Sequence, residues 1–146
     1  MQFFQLIGTQ RSGSNLFRLM LNEFDDIYAP HPPHLLSTFY HLQKNYNDFD
    51  KLVSDMVKWV KFNPIKWNNI PSENTIKNHI KDNNIFEVFR VIYTHSNSKF
   101  WCCKSLQNFR FNNDPNFKKL QPIYIYIYRD GRDVASSFKK ASIGEK

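Results

Sequence analysis

Cysteine is almost missing from this chain: Cys102 and Cys103 are the only two, and they are adjacent. Neighbouring cysteines cannot staple distant segments, so no disulfide framework is expected. No Cys-x-x-Cys and no histidine cluster is present either, so no metal site is implied. The pair reads as buried strand residues in a reducing compartment, which makes the cytoplasm the expected location. Long apolar runs are missing too. Gln5, Gln10 and Arg11 interrupt the N-terminal segment, which rules out a basic region followed by a leader-type apolar stretch. No stretch approaches the length of a membrane span. Internal repeats and low-complexity segments are absent.

What remains is an ordinary globular composition, 41% hydrophobic and 23% charged. At 146 residues the chain is expected to form one domain, 1–146, with a core that needs no staples. Its 14 Phe, 7 Tyr and 3 Trp read chiefly as packing residues. The net charge of +7 points to an anionic partner, whether nucleotide, nucleic acid or acidic surface. Much of that excess is lysine scattered through an Asn-rich middle, which reads as a solvated face.

Phe3 to Ile7 is a short apolar run ending at Gly8, a buried strand. Leu16, Phe17, Leu19, Met20 and Phe24 then recur at helical spacing, predicting a helix from about Ser14 to Phe24. Ile27 to Ala29 is a candidate second strand. Pro30-His31-Pro32-Pro33-His34 is stiff and extended, with Pro33 placed to start a helix from His34 to about Tyr46. Further helices are predicted over Asp50 to Phe62, from Ser72, and over Ile85 to Tyr93. Phe100 to Cys103 reads as a strand. Ile123 to Tyr128 reads as a stronger one, apolar on both faces and therefore expected between two helix layers. A last helix is predicted from about Gly131 to Lys140, capped by Asp130 with Asp133 three residues on. The expected fold class is α/β, a P-loop-like parallel sheet flanked by helices.

The first loop reads Gly8-Thr9-Gln10-Arg11-Ser12-Gly13-Ser14-Asn15. Its glycines have P-loop spacing, but Ser14 and Asn15 stand where a nucleoside-triphosphate site needs Lys and a magnesium-binding Ser/Thr. The cation has moved into the loop as Arg11. The amides of Ser12 to Asn15 can still cradle an oxyanion at the helix start. Phosphate binding is kept and the Mg-ATP signature is lost; a plain tight turn is the bland alternative. Arg11-Ser12-Gly13-Ser14-Asn15-Leu16 resembles the 5′-phosphosulfate loop of sulfotransferases that use 3′-phosphoadenosine 5′-phosphosulfate (PAPS). It is closest in style to the bacterial and protein-tyrosine branches. Those enzymes commonly carry Pro before the basic residue, where this chain has Gln10.

The second loop, Arg129-Asp130-Gly131-Arg132-Asp133-Val134-Ala135-Ser136-Ser137, leaves a strand and enters a helix. An Arg at a strand end can chelate a phosphate with two parallel hydrogen bonds. In isolation such an Arg–Asp turn also suits a surface ion pair. It resembles the family's 3′-phosphate motif, with Arg129 and Ser137 at the matching spacing and Ser136 as the competitor. The resemblance implies a PAPS co-substrate, no metal, and transfer of a sulfuryl group to an acceptor hydroxyl or amine.

Such chemistry needs in-line alignment, charge stabilisation on the leaving phosphate, and a base for the acceptor's proton. Arg11 suits the second task. For the base, His31 ranks first because of its rigid proline setting, followed by His34, with Glu87 a weaker alternative. His41, His79 and His95 read as surface or capping residues. Lys104, in Cys103-Lys104-Ser105-Leu106-Gln107-Asn108, resembles the strand-end lysine that holds transition-state charge in the same branch. Domains of this family run on well past the second motif, so the chain is expected to be the N-terminal part of an incomplete domain with open apolar sheet surface. A P-loop small-molecule kinase, or a non-catalytic nucleotide- or nucleic-acid-binding module, are the competing readings.

Overall fold

A computed structural model describes residues 1–141, so the last five residues of the single-domain reading lie outside the described part. Four strands, β1 (Gln2–Gly8), β2 (Ile27–Tyr28), β3 (Phe100–Cys103) and β4 (Ile123–Ile127), form one sheet in the order β2-β3-β1-β4. Every pairing is parallel, with Gln2 opposite Phe100 and Phe4 opposite Ile123. Helices α1 (Ser14–Asn22), α2 (Leu35–Phe39), α3 (Phe49–Lys61), α4 (Glu73–His79), α5 (Ile85–Thr94), α6 (Pro115–Lys118) and α7 (Gly131–Lys140) flank it. The expected parallel α/β sheet is therefore the observed one. Among the described residues no helix is long and apolar enough to cross a membrane.

Strand alternation splits the core in two. Phe3, Trp101 and Cys103 face the larger cluster, built from the apolar stripes of α2, α3 and α5. There the Phe3 and Trp101 rings stack with centroids 3.8 Å apart. Leu6 and Cys102 face a smaller cluster, packed by Phe17 and Leu21 of α1. Both cysteines are buried and free, one on each side of the sheet. Helices α3, α4, α5, α6 and α7 each begin at a side-chain cap, from Asp48, Ser72, Asn84, Asp114 and Asp130 respectively.

Two expectations need correction. The strand β4 is not sandwiched: among the described residues it is an edge paired only with β1, and Ile123, Tyr124 and Tyr126 are exposed. Its alternating tyrosines suit that position because a phenol keeps one end wet, as Tyr124 Oη does by donating to Asn112 Oδ1 at 2.7 Å. The single helix expected from His34 to Tyr46 is broken into α2 and a 3-10 turn over Leu42–Asn45. Pro33 does not start α2. His34 precedes it with φ 56°, a left-handed conformation from which no α-helix can run on. The apolar faces of α1 (Leu16, Leu19 and Met20) and of β4 are open, as is Phe24 just beyond α1.

Gly8 ends β1 opposite Ile127 of β4. Its φ is +150°, and a Cβ there would sit 2.5 Å from Ile127 O. Gly8→Ala is expected to cost about 2 kcal/mol, lowering the thermal midpoint by about 6 °C. An unchanged midpoint in a calorimetric scan would mean that β4 can shift away from β1 freely.

Candidate active site

The loop after β1 turns on two left-handed residues, Arg11 (φ 67°) and Gly13 (φ 92°), with Ser12 between them. That alternation turns successive N–H groups to one side and makes an anion nest. Ser12 Oγ donates to Thr9 O at 2.7 Å and closes the loop from within. Gly13 caps α1 without any side-chain hydrogen bond, so the first-turn amides stay free for a ligand.

The second loop lies directly against the first. Arg11 Nε donates to Ser137 Oγ at 3.0 Å, and Arg129 Nη1 donates to Arg11 O at 3.2 Å. Arg129 Nε lies 3.9 Å from Asp133 Oδ2, one helical turn into α7. Together the loops open onto a cleft of about 440 Å³ lined by Gln10, Arg11, Gly13, Ser14, Asn15, His34, Lys104, Leu106, Gln107, Arg129 and Ser137. Among the described residues three cations line it and no carboxylate does. Ser12 is turned inward rather than onto the wall. Ser137, and not Ser136, is the α7 hydroxyl that the cleft exposes.

Beneath the cleft is a buried polar network. Gln5 on β1 is fully buried, and its Nε2 donates to Leu6 O, Cys103 O and Ser105 O at 2.8, 3.2 and 3.1 Å. Asn108 Nδ2 donates back to Gln5 Oε1 at 3.2 Å. These bonds fix the chain leaving β3 and so the position of Lys104. Burial, with Arg18 nearby, lowers the Lys104 pKa. Ser105 is 1% exposed, and its Oγ lies 3.3 Å from His34 Nδ1. Burial, followed by the charge of Lys104, pushes the His34 pKa below its ordinary value.

His31 does not line this cleft. Its carbonyl accepts from Trp67 Nε1 at 2.7 Å, and its Nδ1 is buried without a partner among the described residues. Burial lowers its pKa first, with Lys104, Arg18 and His34 adding to the effect. Glu87 is away from the cleft and engaged by Arg90, with Nη2 to Oε2 at 2.8 Å. Burial would raise the Glu87 pKa, but Arg90 and the Lys81 amide together hold it below the usual value. Arg18, unremarked in the sequence, is 6% exposed. It bridges the first loop to the histidine segment, donating to Asn15 Oδ1 at 3.3 Å and to Ala29 O at 2.7 Å.

The family model described as the sulfotransferase family matches residues 4–145, nearly the whole chain. The chain belongs to the sulfotransferase family. No curated protein and no solved structure gives a significant match. Within this sulfotransferase domain the residues that sequence reading missed are Gln5, Asn108, Ser105 and Arg18. One sequence signal points to them: Gln5, a glutamine that interrupts an otherwise apolar strand.

Proposed function

We propose that this domain transfers a sulfuryl group from PAPS to an acceptor hydroxyl. The observation that carries the reading is the Arg11–Ser137 contact, which joins loops more than a hundred residues apart into one cleft of cations and free amides. The first loop and Arg11 suit the 5′-phosphosulfate, while Arg129 and Ser137 suit the 3′-phosphate. Among the described residues no carboxylate lines the cleft to hold magnesium, which favours this reading over a kinase.

PAPS, when bound, supplies the sulfuryl group together with a phosphate leaving group. His34 is the base in this proposal: with Nδ1–H donating to Ser105 Oγ, its Nε2 lone pair can take the acceptor's proton. Its lowered pKa keeps it neutral near pH 7. As the acceptor oxygen bonds to sulfur and the sulfur–phosphate oxygen bond breaks, Arg11 and Lys104 offset the charge left on the phosphate.

Calorimetric titration tests the donor. 3′-Phosphoadenosine 5′-phosphate (PAP) is expected to bind without magnesium at least about tenfold more tightly than ATP with it, a difference of about 1.4 kcal/mol. Magnesium-dependent ATP binding tighter than that of PAP would overturn the reading.

A further inference from the structure

A second trough begins where the donor cleft ends. Gln107 lines both. One wall is the face of α2 that starts at His34 and continues, at three-residue spacing, through Ser37 to Tyr40. The other wall is the 3-10 turn Leu106–Phe111, which contributes Gln107 and Arg110, with Asn113 just beyond it. The trough measures about 540 Å³, within the usual range for small-ligand sites. Gln107 and His34 both line the donor cleft, so a group reaching past Gln107 enters the cleft that His34 lines.

The unused polar groups indicate what would fit. Arg110, Gln107 and Asn113 are exposed, and among the described residues their side chains make no hydrogen bond or ion pair. The carboxylate at the far end, Asp114, is committed to structure. Its Oδ2 accepts from Tyr40 Oη at 3.1 Å, and its Oδ1 accepts from Asn116 N at 2.9 Å. An unpaired guanidinium fork matches a carboxylate, and free amides match neighbouring hydroxyls. A simple phenol would need an enclosed apolar slot, but here Phe111 is 8% exposed and the exposed residues of the lining, His41, Gln107, Arg110 and Asn113, are of polar type.

We infer that this trough is the acceptor subsite and takes a sugar acid, its carboxylate on Arg110, its hydroxyls on Gln107 and Asn113, and its reacting hydroxyl at His34. The assignment rests on the sulfuryl-transfer reading. The test is titration of a glucuronyl disaccharide and of its methyl ester, with and without PAP, into wild type and Arg110→Ala. The acid is expected to bind about tenfold more tightly than the ester. Arg110→Ala removes that difference and leaves PAP affinity within about twofold. Equal binding of acid and ester overturns the inference, as does an unaltered preference in Arg110→Ala. Tighter binding of a tyrosine peptide flanked by aspartates overturns it too. PAP binding without acid binding removes the trough assignment alone. Arg110-dependent acid binding without PAP binding removes the donor reading and leaves the trough standing.

Discussion

Arg129→Ala is expected to weaken PAP binding roughly 100-fold, about 2.7 kcal/mol, while 5′-AMP binding stays within about twofold. The contrast follows from where Arg129 sits. It stands at the end of β4, donates to Arg11 O, and presents the rest of its fork to the side of the cleft where Ser137 projects from α7. A ligand without a 3′-phosphate has nothing there to lose. Arg11→Ala is expected to weaken both ligands, because Arg11 belongs to the loop at the helix start that holds the phosphate the two ligands share. Calorimetry on the two variants with the two ligands gives four numbers. An equal loss of PAP and 5′-AMP in Arg129→Ala would remove the 3′-phosphate role.

His34→Ala is expected to reduce kcat about 1000-fold, the middle of the range for losing a general base, with PAP affinity unchanged. Its pH profile should carry the same signature. A base works in its neutral form, so kcat/KM is flat above the His34 pKa and falls as pH drops through it. Because burial and Lys104 depress that pKa below 6.5, the acid limb belongs below 6.5. Lys104→Met removes one of the two causes and should move the limb upward. Undiminished turnover in His34→Ala, or an acid limb above 6.5 in the wild type, would exclude His34. His31→Ala is the companion variant: its ring is off the cleft wall, and it is expected to affect stability more than turnover.

The order strand, glycine loop, helix at one end and strand, arginine loop, helix at the other was legible because each is a local pattern. Gly8, Gly13 and Asp130 act within a few residues of themselves. That the open sheet surface would fall on β4 was not legible. Ile-Tyr alternation describes the faces of a strand, whereas its neighbours are decided by β1, more than a hundred residues earlier. Which of His31 and His34 lines the cleft was not legible for a related reason. Proline rigidity argued for His31, but the left-handed turn at His34 and the Ser105 hydroxyl beyond β3 decide which imidazole reaches the cleft. Gln5 and Asn108 were invisible as a pair because neither has any meaning until β1 and β3 lie side by side.

That sheet has no hairpin anywhere: residue 2 pairs with residue 100 and residue 4 with residue 123. At about 5–20 residues per second of translation, β1 leaves the ribosome roughly 5–20 s before its first partner strand has been made. During that interval the Gly8–Asn15 loop has no sheet to anchor it and Gln5 has no Asn108 to bind. The nascent chain therefore carries an apolar strand that must stay unpaired, while α3 to α5, whose contacts are local, can form before it. The cleft closes after β4 has joined the sheet, when Ser137 is delivered to Arg11.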